Sequence, residues 1–87
     1  MTTPDSAEKV FSALASPVRR HILDLLLEKP LAAADVAAHF DMARPSVSEH
    51  LKILREGGLV SEERQGRYRM YSINAGPLQE VQDWLQP

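Results

Sequence analysis

The sequence of 87 residues predicts a mainly α domain with one small β-hairpin, an α+β chain of the order α-α-α-α-β-β-α. Three observations predict it. Apolar residues recur at helical spacing in four successive segments divided by proline, aspartate or glycine. The period then changes to short runs of β-favouring residues on either side of Gly66. After Gly76-Pro77 the helical period returns.

The first helix is expected over residues 5–15, where Ala7, Val10, Phe11 and Leu14 stand at i, i+3, i+4 and i+7. Asp5 or Ser6 is its expected cap, and Glu8 lies in its first turn. Ser16-Pro17 then gives an N-cap followed by proline at the first helical position, a strong start signal. That second helix is expected to turn Val18, Ile22, Leu25 and Leu26 inward and Arg19, Arg20, Asp24 and Glu28 outward, and to end at Pro30. A short Ala-rich helix follows over about 32–39, anchored by Val36 and Phe40. Asp41 is expected in a tight left-handed turn of about four residues. From Arg44 the period resumes with Val47, Leu51 and Leu54 on one face, and Gly57-Gly58 stops it. Two extended runs, 59–63 and 67–73, are joined through Arg64-Gln65-Gly66, and a last helix carries Leu78, Val81, Trp84 and Leu85.

A chain this short buries only about 60–65% of the surface that its unfolded form exposes, so its core is marginal. Without cysteine it has neither a disulfide framework nor a thiolate metal site, which leaves association with a second subunit. The opening MTTPDSAEKV lacks a basic region and an apolar run, and no stretch approaches the ~20 apolar residues of a membrane span. No membrane partner and a cytoplasmic location are therefore expected. Ten Lys and Arg against twelve Asp and Glu give a net charge of −2, so any nucleic-acid surface must be local. Arg64, Arg67 and Arg69 supply one such cluster, although Glu62 and Glu63 stand ready to neutralise part of it.

Two short helices with a turn between them and a hairpin directly after outline a winged helix-turn-helix, with the helix-turn-helix at about 32–57 and the wing at about 59–73. With Val47, Leu51 and Leu54 buried, Pro45, Ser46, Ser48, Glu49 and Lys52 point outward, a face that fits a DNA major groove. Arg44 and His50 flank that face within reach of phosphate, and the start of the helix offers backbone amides to an anion. No catalytic residues are expected: Ser46 and Ser48 lack a base and an orienting acid, and neither a phosphate-binding loop nor a dinucleotide glycine pattern occurs. His21, His39 and His50 do not form a recognisable ligand set, so no metal or other cofactor is expected.

The marks Ser16-Pro17 with Arg19-Arg20 and Ile22-Leu23, then Pro45-Ser46-Val47-Ser48-x-His50-Leu51, then Leu54-Arg55-Glu56-x-Gly58-Leu59-Val60, and Gly66-Arg67 with Tyr71 together resemble the ArsR family of winged-helix repressors. The likeness is greatest to an autorepressor-like branch without metal sites, and it runs over about residues 8–85. It implies that the helix from Arg44 is the recognition helix and that Gly66 lies at the tip of the wing. It also implies a homodimer joined by the terminal helices, about 5–15 and 77–86, through Val10, Phe11, Leu14, Leu78, Val81, Trp84 and Leu85. The chain differs from the family at Ala43, where relatives place a capping Ser or Thr, and at Glu49, where many have a basic or neutral residue. It ends at Pro87, where relatives often extend the last helix, so either a smaller dimer contact or a shortened chain is expected.

The expected function is a homodimeric, sequence-specific repressor of double-stranded DNA that reads an inverted-repeat operator, its own promoter included. The net negative charge and Glu49 support a second reading, a winged helix that contacts only protein. The sequence names no effector.

Overall fold

The chain, seen as a computed structural model, is described over residues 5–86; the side chains of Asp5, Ser6, Ala7 and Glu80 lie outside the description, and with them the cap expected of Asp5 or Ser6. The elements are α1 (Asp5–Leu14), α2 (Pro17–Glu28), β1 (Leu31–Ala32), α3 (Ala33–Ala37), α4 (Arg44–Glu56), β2 (Val60–Gln65), β3 (Tyr68–Ile73) and α5 (Gly76–Leu85).

Each junction follows from local chemistry. Ser16 is extended at φ −99 and ψ 128, and its Oγ accepts from the Arg19 amide at 3.3 Å, so α2 starts as a capped helix with Pro17 in its first turn. At the other end Lys29 precedes Pro30 and is extended at φ −169 and ψ 158, as the clash with a following proline ring demands. The end of α4 is a Schellman motif. Gly58 takes φ +76, the Leu59 amide reaches Leu54 O at 3.0 Å, and the Gly58 amide reaches Arg55 O at 2.9 Å. Leu54 and Leu59, the two apolar residues of that motif, are both fully buried. Gly57 beside them has a packing role: a Cβ there would stand 3.2 Å from Lys9 O, so α1 crosses the end of α4 at close range.

The structure departs from the sequence reading in five places. The sheet has three strands rather than two, in the antiparallel order β1-β3-β2, because the extended exit from Pro30 carries Leu31 opposite Tyr71 and Ala32 opposite Met70. Two residues have no period, so β1 leaves no mark in the sequence. The hairpin is tighter than expected, with Gln65 paired to Tyr68 and only Gly66 and Arg67 between the strands. Gly66 takes φ +61 and Arg67 keeps a negative φ, the pattern of a type II′ turn. The α3 helix stops at Ala37, so residues 38–43 connect it to α4. Asp41 does not adopt the left-handed conformation, since only glycines do so among the described residues. Finally, α2 buries Leu23 beside Ile22 and Leu26, whereas Leu25 and Val18 are only half-buried.

Ile22 of α2, Val36 of α3, and Val47, Leu51 and Leu54 of α4 meet Leu59 and Tyr71 in one core. The outer face of α4 stays in solvent because its inner face anchors this core. Val10, expected at a subunit contact, belongs to the same core at 6% exposure, which leaves little of its side chain for a partner.

Candidate nucleic-acid interface

The expected recognition helix is α4, which presents an exposed, mainly polar face. With Val47, Leu51 and Leu54 turned inward, Arg44, Pro45, Ser46, Ser48, Glu49 and Lys52 are all exposed. The wing lies beside the start of this helix. Arg44, Arg67, Tyr68 and Arg69 line one shallow groove together with Ala32, Ala33 and Ala34 at the start of α3. The β1–β3 pairing brings α3 against the wing and closes that groove. Three guanidinium groups thus border a concave strip of a chain whose net charge is negative.

Arg64 faces Arg69 directly across the hairpin. Like charges in opposed positions destabilise a strand pair, and a polyanion laid along the hairpin relieves that repulsion. Among the described residues the ion pairs are those of Glu62, with Arg55 at 3.0 Å and Arg69 at 3.9 Å. Glu62 therefore tempers Arg69 of the three wing arginines, and the neutralisation expected of Glu63 is not observed. Glu62 also accepts from the hydroxyl of the buried Tyr71. This bond holds the Glu62 carboxyl below its ordinary range against the effect of partial burial, and Arg55 and Arg69 add to it. Burial first, and then Glu62, push the Tyr71 hydroxyl up to about 12.

As the absence of a capping Ser or Thr implies, Ala43 makes no side-chain capping bond at the start of α4. The anion site expected at its start is also reduced: Pro45 has no N–H, and the Ser46 amide is 3.0 Å from Ala43 O, so two of the first three positions present no unbonded amide. His50, expected to flank the outer face within reach of phosphate, is half-buried, with Nδ1 3.2 Å from Arg19 Nη1. Burial and the neighbouring Arg19 lower its pKa, and Glu49 partly opposes them. The other histidines have their own partners. His21 packs edge-on against Phe40 with ring centroids 5.0 Å apart, and His39 Nδ1 donates to Asp35 O at 2.8 Å. No three metal-ligating side chains converge among the described residues.

Phe11 of α1 meets Trp84 of α5 edge-to-face with centroids 6.3 Å apart. Phe11, Trp84 and Leu85 are exposed, Trp84 by 74%, whereas Leu14, Leu78 and Val81 are half-buried against the core. Exposed aromatic and aliphatic surface of this kind on so small a domain marks a site of association.

Three features lay outside the sequence reading: the exposed Tyr68 between the wing arginines, the Arg55–Glu62–Tyr71 node at the base of the wing, and the inward turn of Arg19. Residues 7, 9 and 31 positions apart in sequence bond to one another here across different elements, and no spacing rule reports such pairs.

An outward-facing second helix beside an arginine-lined hairpin defines a winged helix-turn-helix transcriptional regulator, a DNA-binding protein and not an enzyme. Residues 16–62 match the arsR family of bacterial regulatory proteins, and the chain belongs to that family. It is 42% identical to the transcriptional repressor SdpR of Bacillus subtilis over 76 residues, which span 87% of this chain and 84% of SdpR. A crystal structure of an ArsR family transcriptional regulator superimposes with a TM-score of 0.89 at 36% identity, covering 97% of this chain and 87% of that one. The homodimeric winged helix-turn-helix DNA-binding domain Mb0332 of Mycobacterium bovis, known from solution NMR, is similar with a TM-score of 0.76 at 34% identity, covering 91% and 80% of the two chains.

Proposed function

We propose that the protein is a homodimeric repressor that reads an inverted-repeat operator with α4 and holds the flanking backbone with its wing. The observation that carries this reading is the groove of Arg44, Arg67 and Arg69 beside the exposed face of α4. Ser46, Ser48, Glu49 and Lys52 take the base edges, where Glu49 suits a cytosine amino group. Arg44, Arg64, Arg67 and Arg69 take phosphate or the adjacent minor groove, and His50 adds a backbone contact. Phe11, Trp84 and Leu85 form the subunit contact, supported by Leu14, Leu78 and Val81. The homodimeric state of Mb0332 and the repressor role of SdpR favour the same assembly and sign of regulation here. Two recognition helices about a two-fold axis address major grooves one helical turn apart, about 34 Å.

The cytoplasm is where such a regulator meets its DNA, and no helix among the described residues is long and apolar enough to cross a membrane. The test is titration of the purified protein with duplex fragments at low salt, the promoter of its own gene included. Retention of a fragment containing an inverted repeat, competed weakly by unrelated duplex, supports the reading. Absence of retention of any duplex overturns it in favour of a protein-only contact.

A further inference from the structure

Arg19 stands at the junction of three helices. Its Nε donates to Ala13 O at 2.9 Å and its Nη2 donates to Ser12 O at 2.8 Å. Both carbonyls belong to the last turn of α1, where the dipole is negative, and Ser12 O takes one further bond, from the Ala15 amide at 3.2 Å. The third arm of the same guanidinium, Nη1, lies 3.2 Å from Nδ1 of His50 in α4. One planar side chain of α2 thus ties the end of α1, the helix that bears Phe11, to the middle of the recognition helix.

The chemistry of this contact fixes a proton. A guanidinium has five N–H donors, no acceptor and a permanent charge. Nδ1 of His50 therefore accepts, which requires a neutral ring with its proton on Nε2. An imidazolium would set a donor against a donor and a cation against a cation. The shift of His50 away from its charged form, through burial and Arg19, agrees with this geometry.

We propose that Arg19 is a positioning residue for DNA binding, which couples α1 to α4 by holding the His50 ring as the neutral Nε2–H form. The subunit helix and the recognition helix then present themselves as one rigid piece, and His50 meets DNA only as an N–H donor. The consequence for DNA rests on the repressor reading above, but the state of the ring does not.

Two measurements separate them. In the nitrogen-labelled full chain without DNA, long-range proton–nitrogen correlation at neutral pH is expected to show Nε2 of His50 protonated and Nδ1 bare. Arg19→Gln is expected to raise the pKa of His50 and to populate the other tautomer. A ring protonated at Nδ1 in the wild-type chain overturns the proposal. The second measurement is operator affinity in a cycle of variants. His50→Asn keeps an amide oxygen near the place of Nδ1, and His50→Gln puts its amide near Nε2 instead. Arg19→Gln is expected to weaken operator binding about tenfold in the wild-type and His50→Asn backgrounds, a usual size for coupling between sites, and much less in His50→Gln. Equal effects in all three backgrounds overturn the proposal. Arg19→Lys, which keeps the charge but lacks the planar fork, serves as a second probe and is expected to behave as Arg19→Gln does. A chain with the expected ring that holds no duplex supports the tie between helices and overturns only the repressor reading.

Discussion

Glu62 and Arg55 face each other across the junction of the wing and the recognition helix, Oε2 to Nη1, 3.0 Å apart. The same oxygen takes the hydroxyl of Tyr71, so a single carboxylate pins β2 to β3 and both to the last turn of α4. Beyond this node residues 63–69 of the hairpin are exposed, so the node is where side chains tie the wing to α4.

Glu62→Gln is expected to destabilise the fold by about 1 kcal/mol, the usual net value of such a bond, measured by urea denaturation. The folded pKa of Glu62 lies below its ordinary 4.5. Its contribution is therefore present in full above that value and is lost as pH falls through the lower folded value. The wild type and Glu62→Gln should differ at neutral pH and converge in acid.

Tyr71→Phe removes the buried donor and leaves Glu62 short of one partner, at an expected cost of about 1–2 kcal/mol. With its pKa raised to about 12, Tyr71 contributes fully below the ordinary phenol value of 10.0, and the contribution fades as pH rises through the folded value. An ultraviolet titration of the native protein should show Tyr71 as a phenol that ionises well above the ordinary value.

Arg67→Ala is expected to weaken binding to every duplex and to lower the salt slope by about one unit, the effect of losing the phosphate contact proposed for it. Ser48→Ala and Glu49→Gln should instead change which sequences are preferred. Affinity and salt dependence unchanged in Arg67→Ala would remove the wing from the interface.

Trp84→Lys is expected to raise the dimer dissociation constant tenfold or more with little loss of helix content, as measured by analytical ultracentrifugation and circular dichroism. Val10→Ala should do the reverse. It lies in the monomer core and is expected to cost about 2 kcal/mol of stability, with little effect on association of the folded chains.

Ala43→Ser supplies the missing cap of α4. Ala43 already has the extended backbone of an N-cap at φ −64 and ψ 146, so the hydroxyl is expected to add about 0.5–1 kcal/mol of stability in thermal melts.

Most of the fold was legible because its signals are local. Ser16-Pro17 starts α2 and Gly57-Gly58 ends α4 through backbone geometry that neighbouring residues dictate. The three inward positions of α4, Val47, Leu51 and Leu54, follow from a helical period that tertiary contacts did not alter. The outward face of α4 was legible by the same rule. What was not legible has two sources. Some features are too short to carry a period, as β1 is with two residues. Others arise from side chains that choose partners far along the chain: Arg19 was expected in solvent and instead bridges Ser12, Ala13 and His50.

The sequence by itself determined the order of the helices and the hairpin and the inward face of α4, because periodicity, caps and glycine stops act over a few residues; its motifs carried the likeness to the family. Only the tertiary structure decided that Val10 is core while Trp84 is surface, and that Glu62 serves the wing hinge as well as Arg69. It alone turned His50 from the solvent toward Arg19. Burial, charge pairing and the place of a proton depend on what lies opposite in space, and that is settled only when the helices and the wing have packed.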